Sequence, residues 1–200
     1  MSTSFHRHPR FAELRDEFRA HPEWFTAWAG IFFRFHTVDF PTAKDVLSGD
    51  GARANGGRWN PPGIATLYGS TTDAVALEES KANDRYYGVE TRSPRLVVAI
   101  EARLSRVLDL TNADLRRELD VTLTELAAED WRKLLAAGKE SFTQAIGRAV
   151  AAAGGSGLLA RSASVPRGAN VIVFPGACRS DHLAVVEAGK LDKLGSRRKA

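Results

Sequence analysis

The chain has 200 residues, 44% hydrophobic and 26% charged. That suffices for one domain with a buried core and excludes disorder over the whole length. No apolar run reaches the roughly 18 residues of a membrane-spanning helix, and Met1–Pro9 lacks the apolar core of a signal peptide. The single cysteine, Cys178, excludes an intrachain disulfide and a cysteine-built zinc site. A reducing, cytoplasmic address is the expectation.

A net charge of +4 and a pI near 9.5 invite a nucleic-acid reading. The charge distribution weakens it. Residues 190–200 hold Lys190, Lys193, Arg197, Arg198 and Lys199 against Asp192, while residues 1–189 balance 23 basic against 23 acidic. The excess is read as a solvated tail, able to make weak, salt-sensitive contact with phosphates.

In chain order, residues 10–29 read as helical, with Phe11, Leu14 and Phe18 at helical spacing and Trp24 and Trp28 four apart. Pro22 is placed to start a second short helix. Ile31–Phe35 predicts an aromatic strand carrying one charge, Arg34. Residues 49–63 hold five glycines and two prolines, predicting an irregular loop and neither helix nor strand. Ile64–Tyr68 reads as a strand. Ser70-Thr71-Thr72-Asp73 supplies cap chemistry for a helix over Asp73–Tyr86.

Leu96–Ala102 predicts an apolar strand and Val107–Leu110 a shorter one. Three helices are expected over 111–153. Thr111 precedes the first; Thr122 with Glu125 and Ser141 with Gln144 form capping boxes for the others. Gly138 and Gly154 stop the last two. Gly157–Ala160, Asn170–Phe174 and His182–Glu187 complete the strands. The sum is an α+β domain with a helical insert.

Several residues sit where chemistry would need them. Arg34 lies among Phe32, Phe33 and Phe35, and a guanidinium there must be half exposed, paired or facing a ligand. Arg58 sits in Gly56-Gly57-Arg58-Trp59-Asn60-Pro61-Pro62-Gly63. Glycines let backbone approach a ligand, and arginine can fork onto a phosphate; a structural turn is the competing reading. Tyr68 is either a core or rim residue or a ring that stacks on a cation. Glu78 follows Ala74 by four, which puts it on an inward stripe of its helix, as a buried ion pair or a functional carboxylate. Ser162 has no nucleophile elbow around it and reads as a hydrogen-bonding residue. His6 and His8 could bind metal only fortuitously, the other histidines are scattered, and no metal-ligand motif is present, so no metal is expected.

Together these stretches resemble the RES domain family. The matching stretches are Phe33-Arg34-Phe35, Gly57–Gly63, Leu67-Tyr68-Gly69-Ser70, Ala74–Glu78, Gly157–Ala163 and Asn170–Phe174. The resemblance implies a toxin of the Xre–RES toxin–antitoxin type with an ADP-ribosyltransferase-like mixed sheet. It implies NAD+ as substrate, cleaved at the nicotinamide–ribose bond by glycohydrolase or phosphorylase action that depletes cellular NAD+ and arrests growth. Carried over by motif, Arg34, Arg58, Tyr68, Glu78 and Ser162 line the pocket, with Glu78, Arg34 and Ser162 catalytic. Arg161 and Ser164 depart from the family pattern, so Arg161 or Arg167 is expected to supply the phosphate contact there.

The corresponding division is an N-terminal helical extension (1–29), a RES domain (30–187) and a basic tail (188–200). The implied partner is an Xre-type antitoxin, with DNA reached only through it and no membrane involved. Two alternatives remain: mono-ADP-ribosylation of a protein acceptor, and a nucleic-acid-binding regulator that uses the basic tail.

Overall fold

A computed structural model describes residues 5–39, 42–88 and 94–198. Helix α1 (Phe11–Ala20) buries Leu14 and Phe18, as their spacing predicts. The residue before a proline is held out of the helical region, and His21, ahead of Pro22, ends the helix. Pro22–Trp24 make one 3-10 turn, and strand β1 (Phe25–Thr37) starts at once. The expected helix through residue 29 is therefore corrected. Trp28 lies in a strand, because β1 pairs along almost its whole length with β3 (Arg95–Asp109), and that ladder outweighs the Trp24–Trp28 spacing.

β3 also corrects the expectation of two strands. Residues 103–106, left between the two expected strands, continue the pleat, with exposed Arg103 and Ser105 alternating with buried Ala102 and Leu104. After β1 come two short helices, α2 (Ala43–Ser48) and α3 (Asp50–Asn55). The second falls where an irregular loop was expected. Its end is Gly56, which has a positive φ of 72° and whose N–H donates to Ala52 O at 2.8 Å.

Strand β2 (Leu67–Ser70) leads into helix α4 (Asp73–Tyr87), capped by the Thr72 hydroxyl. Past β3, four helices stand where three were expected: α5 (Ala113–Glu118), α6 (Leu123–Ala128), α7 (Trp131–Ala136) and α8 (Phe142–Ala152). Both capping boxes form as predicted, on α6 and α8. The additional helix is α7, whose first N–H groups are capped by Asp130.

Three short strands follow, β4 (Gly157–Arg161), β5 (Ala169–Val173) and β6 (His182–Val185). The sheet runs β1-β2-β5-β4-β3-β6, and β1 also pairs β3, so five strands close a ring with β6 outside it. Of the strand pairs in this sheet, among the described residues, only β3 and β4 run parallel. The closure is thin between β1 and β2, which meet at one register pair, Phe33 with Ser70.

Helix α8 packs against one face and is buried over most of its length, including Ala145, Ile146, Gly147 and Val150. The N-terminal segment is fastened to it. The His8 N–H donates to buried Glu140 at 2.8 Å, and Arg148 of α8 grips the same carboxylate at 2.6 and 2.7 Å. Residues 5–24 are thus built into the fold.

The C-terminal segment is tied to the body at its start, while Lys190 and Lys193 are exposed, as expected of a solvated end. Residues 188–198 form helix α9; Leu191 is buried, and the Asp192 carboxylate accepts the Ala43 N–H of α2 at 2.9 Å. Lys199 and Ala200, and the side chains of Arg197 and Arg198, lie outside the described residues. Among the described residues no helix is long and apolar enough to cross a membrane.

Candidate active site

The site starts from the loop after α3. Asn60 is fully buried and knots the loop, its amide donating to the carbonyls of Ala52, Pro61 and Ile64 at 2.9–3.1 Å. Gln144, besides capping α8, donates to the carbonyls of Gly57 and Asn60 at 2.9 and 3.3 Å. The Tyr68 hydroxyl donates to Asn60 Oδ1 at 2.7 Å and accepts the Trp59 N–H at 2.8 Å. Burial pushes this phenol well above its ordinary range, so it stays a donor.

These bonds present Arg58 to a cleft of about 1040 Å³. Arg34 of β1 lines the same cleft, where β1 and β2 diverge, and Tyr68 forms part of its wall. Tyr68→Phe should strand a buried N–H and a buried amide oxygen, costing about 1–3 kcal/mol. Denaturant unfolding measures this, and an unchanged midpoint would remove the buttressing role.

Arg34 Nη1 donates to Val46 O at 3.0 Å, and its buried Nε has no partner among the described residues. Burial lowers its pKa to about 10. Arg58 Nη2 donates to Leu126 O at 3.0 Å; burial lowers its pKa too, opposed by the charge of Glu79. Among the described residues neither guanidinium forms a carboxylate ion pair. Two partly desolvated cations on one cavity, neither held in an ion pair among the described residues, could receive an anionic group through their fork geometry.

Among the described residues Asp45, Asp50 and Glu79 line the cleft. Asp45 is bonded to Thr42 and Asp50 to Arg53; Glu79 is the one on α4, and the inward placement of Glu78 is corrected. Helix α4 buries Val75 and Ala76; Glu79 follows them by four and three, on their face. Ala74, taken as the inward marker, is exposed. Glu78 turns to solvent and pairs with Lys81 at 2.8 Å, and that bond holds its carboxyl below the usual range.

Glu79 Oε1 accepts the Ser162 hydroxyl at 2.6 Å and the Asn170 amide at 3.0 Å. Ser162 Oγ itself accepts the N–H groups of Ser164 and Val165 at 3.1 and 3.0 Å. Its lone pairs are taken and its proton is committed to Glu79, which makes it a positioning hydroxyl. Asn170 is fixed in turn by Ser70 Oγ, which donates to its Oδ1 at 2.8 Å across the β2–β5 ladder.

Sequence reasoning missed both Glu79 and Asn170. The signal for Asn170 is a lone amide at the head of the apolar run Val171-Ile172-Val173. Arg161 and Arg167 are exposed outside the cleft wall, and the expectation that they contact phosphate there is corrected. Ala163 and Ser164 line the cleft in their place. Among the described residues no group of three or more His, Cys, Asp or Glu could hold a metal.

An α+β ring of strands thus carries one cleft that brings Glu79 together with Arg34 and Arg58. The model of the RES domain matches residues 31–193, and the chain belongs to the RES domain family. The fold is similar to that of a chain in the crystal structure of the M. tuberculosis MbcT–MbcA toxin–antitoxin complex, with a TM-score of 0.65 and 21% identity. The likeness covers 94% of this chain and 97% of that one. No curated protein matches this chain.

Proposed function

We propose that this RES-domain protein is the toxin of a toxin–antitoxin pair and acts by cleaving the nicotinamide–ribose bond of NAD+. The observation that carries the reading is Glu79, held by Ser162 and Asn170 in a cleft shared with Arg34 and Arg58. The cleft is at the upper end of the range for small-molecule sites, and its two guanidinium groups, neither in an ion pair among the described residues, suit the substrate's diphosphate.

The chemistry follows from these residue types. Nicotinamide is a cationic leaving group, so its departure needs no general acid. The C1′–N bond breaks with both electrons going to the nicotinamide nitrogen. Positive charge is left on the ribose, as in glycoside hydrolysis, and Glu79 stabilises it. Water then adds at C1′ and releases a proton, giving ADP-ribose. Arg34 and Arg58 fix the diphosphate so that C1′ stays beside the carboxylate. A small antitoxin that covers this cleft, of the Xre type by family likeness, would silence the activity.

The test is purified protein incubated with NAD+, with nicotinamide followed by chromatography, with and without added phosphate. Release of nicotinamide together with ADP-ribose supports the reading. Labelled NAD+ in cell extract distinguishes transfer, since ADP-ribosylation leaves a labelled protein band. No loss of NAD+ in buffer or in extract would overturn the proposal.

A further inference from the structure

We propose that Trp131, Arg132 and Tyr86 form the subsite for the adenine base, at the end of the cleft away from Glu79. This inference rests on the NAD+ reading and assigns the remote half of the substrate.

The geometry begins with α4. Ala76, Glu79, Asn83 and Tyr86 follow one another at spacings of three and four, and with Ser80 and Ala82 beside them one face of the helix walls the cavity. At 1.5 Å of rise per residue, Tyr86 stands ~10 Å beyond Glu79 along the axis. Helix α7 meets α4 there and brings Trp131 and Arg132 into the cleft lining.

The three side chains form one assembly. The Arg132 guanidinium carbon lies 4.4 Å from the Tyr86 ring centroid and 4.4 Å from that of Trp131. Arg132 Nη2 donates to Asn83 Oδ1 at 2.9 Å, and the Tyr86 hydroxyl reaches both Asp130 oxygens at 3.3 Å. The α4–α7 contact therefore holds flat aromatic surface and a cation in place before any ligand arrives.

Charge decides which end of a dinucleotide belongs there. The nicotinamide ring is cationic and would be repelled by Arg132, while the Glu79 carboxylate attracts it. Adenine is neutral, has a π face to stack on Trp131, and carries ring-nitrogen acceptors for a cation. Arg58 lines the same cleft as Glu79, Trp131 and Arg132, and its fork geometry suits the diphosphate that joins the two halves of the substrate.

The experiment compares NAD+ with nicotinamide mononucleotide, which has the same scissile bond and no adenosine. Wild-type kcat/KM should favour NAD+ by ~10–100-fold, the range of one base stacked on an aromatic ring. Trp131→Ala should lower the value for NAD+ at least ten times more than for the mononucleotide, and Trp131→Phe should restore most of the loss. Equal losses on both substrates, or no loss on either, overturn the subsite.

If neither substrate is cleaved, the NAD+ reading fails separately, and calorimetry with ADP decides the subsite. Binding that weakens at least tenfold in Trp131→Ala supports it. Equal binding by the two proteins, or none by the wild type, overturns it.

Discussion

Glu79→Gln should lower the rate of nicotinamide release by ~10²–10³, the usual cost of removing one preorganised electrostatic stabiliser. Glu78→Gln, one position away, should leave the rate within about twofold. The amide introduced in place of the Glu79 carboxylate keeps an oxygen that can accept from Ser162 and Asn170, so the local fold survives and only the negative charge is lost. Thermal midpoints of the two variants should therefore agree with wild type within a few degrees, and the contrast is read from kcat alone. Equal rates for the two variants, or a larger loss at position 78, would sink the assignment of the carboxylate. Ser162→Ala should fall between the two, because it frees the Glu79 side chain to rotate without removing its charge.

Gly147→Ala should destabilise the protein by about 3 kcal/mol, at the upper end of overpacking costs. In an ordinary helix interior the same change gains roughly 0.5–1 kcal/mol, so the sign itself is diagnostic. Gly147 lies on the buried α8, and a methyl group there would overlap the Trp59 carbonyl oxygen. That atom is backbone in the loop that carries Arg58, and Gln144 ties the same loop down one turn earlier. Neither side can yield without moving the other. Gly51→Ala is the control: nothing lies within 4 Å of its added carbon, so it should follow propensity and raise the midpoint. A Gly147→Ala protein as stable as wild type would show that loop and helix are not in rigid contact.

Much of the fold was legible because its signals are local. A cap needs only a short polar side chain and the next three residues, so Thr72, the Thr122/Glu125 box and the Ser141/Gln144 box could be read directly. Short apolar runs bounded by glycine or polar residues gave β2, β4 and β5 to within a few residues. The Gly-Gly-Arg-Trp-Asn stretch marked the loop that carries Arg58. The errors came where long-range pairing overrode a local pattern. Trp28 was pulled into β1 by a partner some 75 residues away, Leu104, and β3 stayed continuous through Arg103 and Ser105 because their side chains face outward.

By itself, the sequence determined where most helices start, which runs are strands, and that two arginines and one glutamate, Glu78, stand in motifs of one family. Tertiary structure alone decided which of the two adjacent glutamates enters the cleft. Neighbouring helical residues point about 100° apart, and α4 has too few large apolar side chains to declare its inner face: Leu77 is exposed while small Ala76 is buried. The facing was set by what α4 packs against. The partners Asn170 and Ser162, more than 80 residues further along the chain, could be joined to Glu79 only by the sheet that carries them.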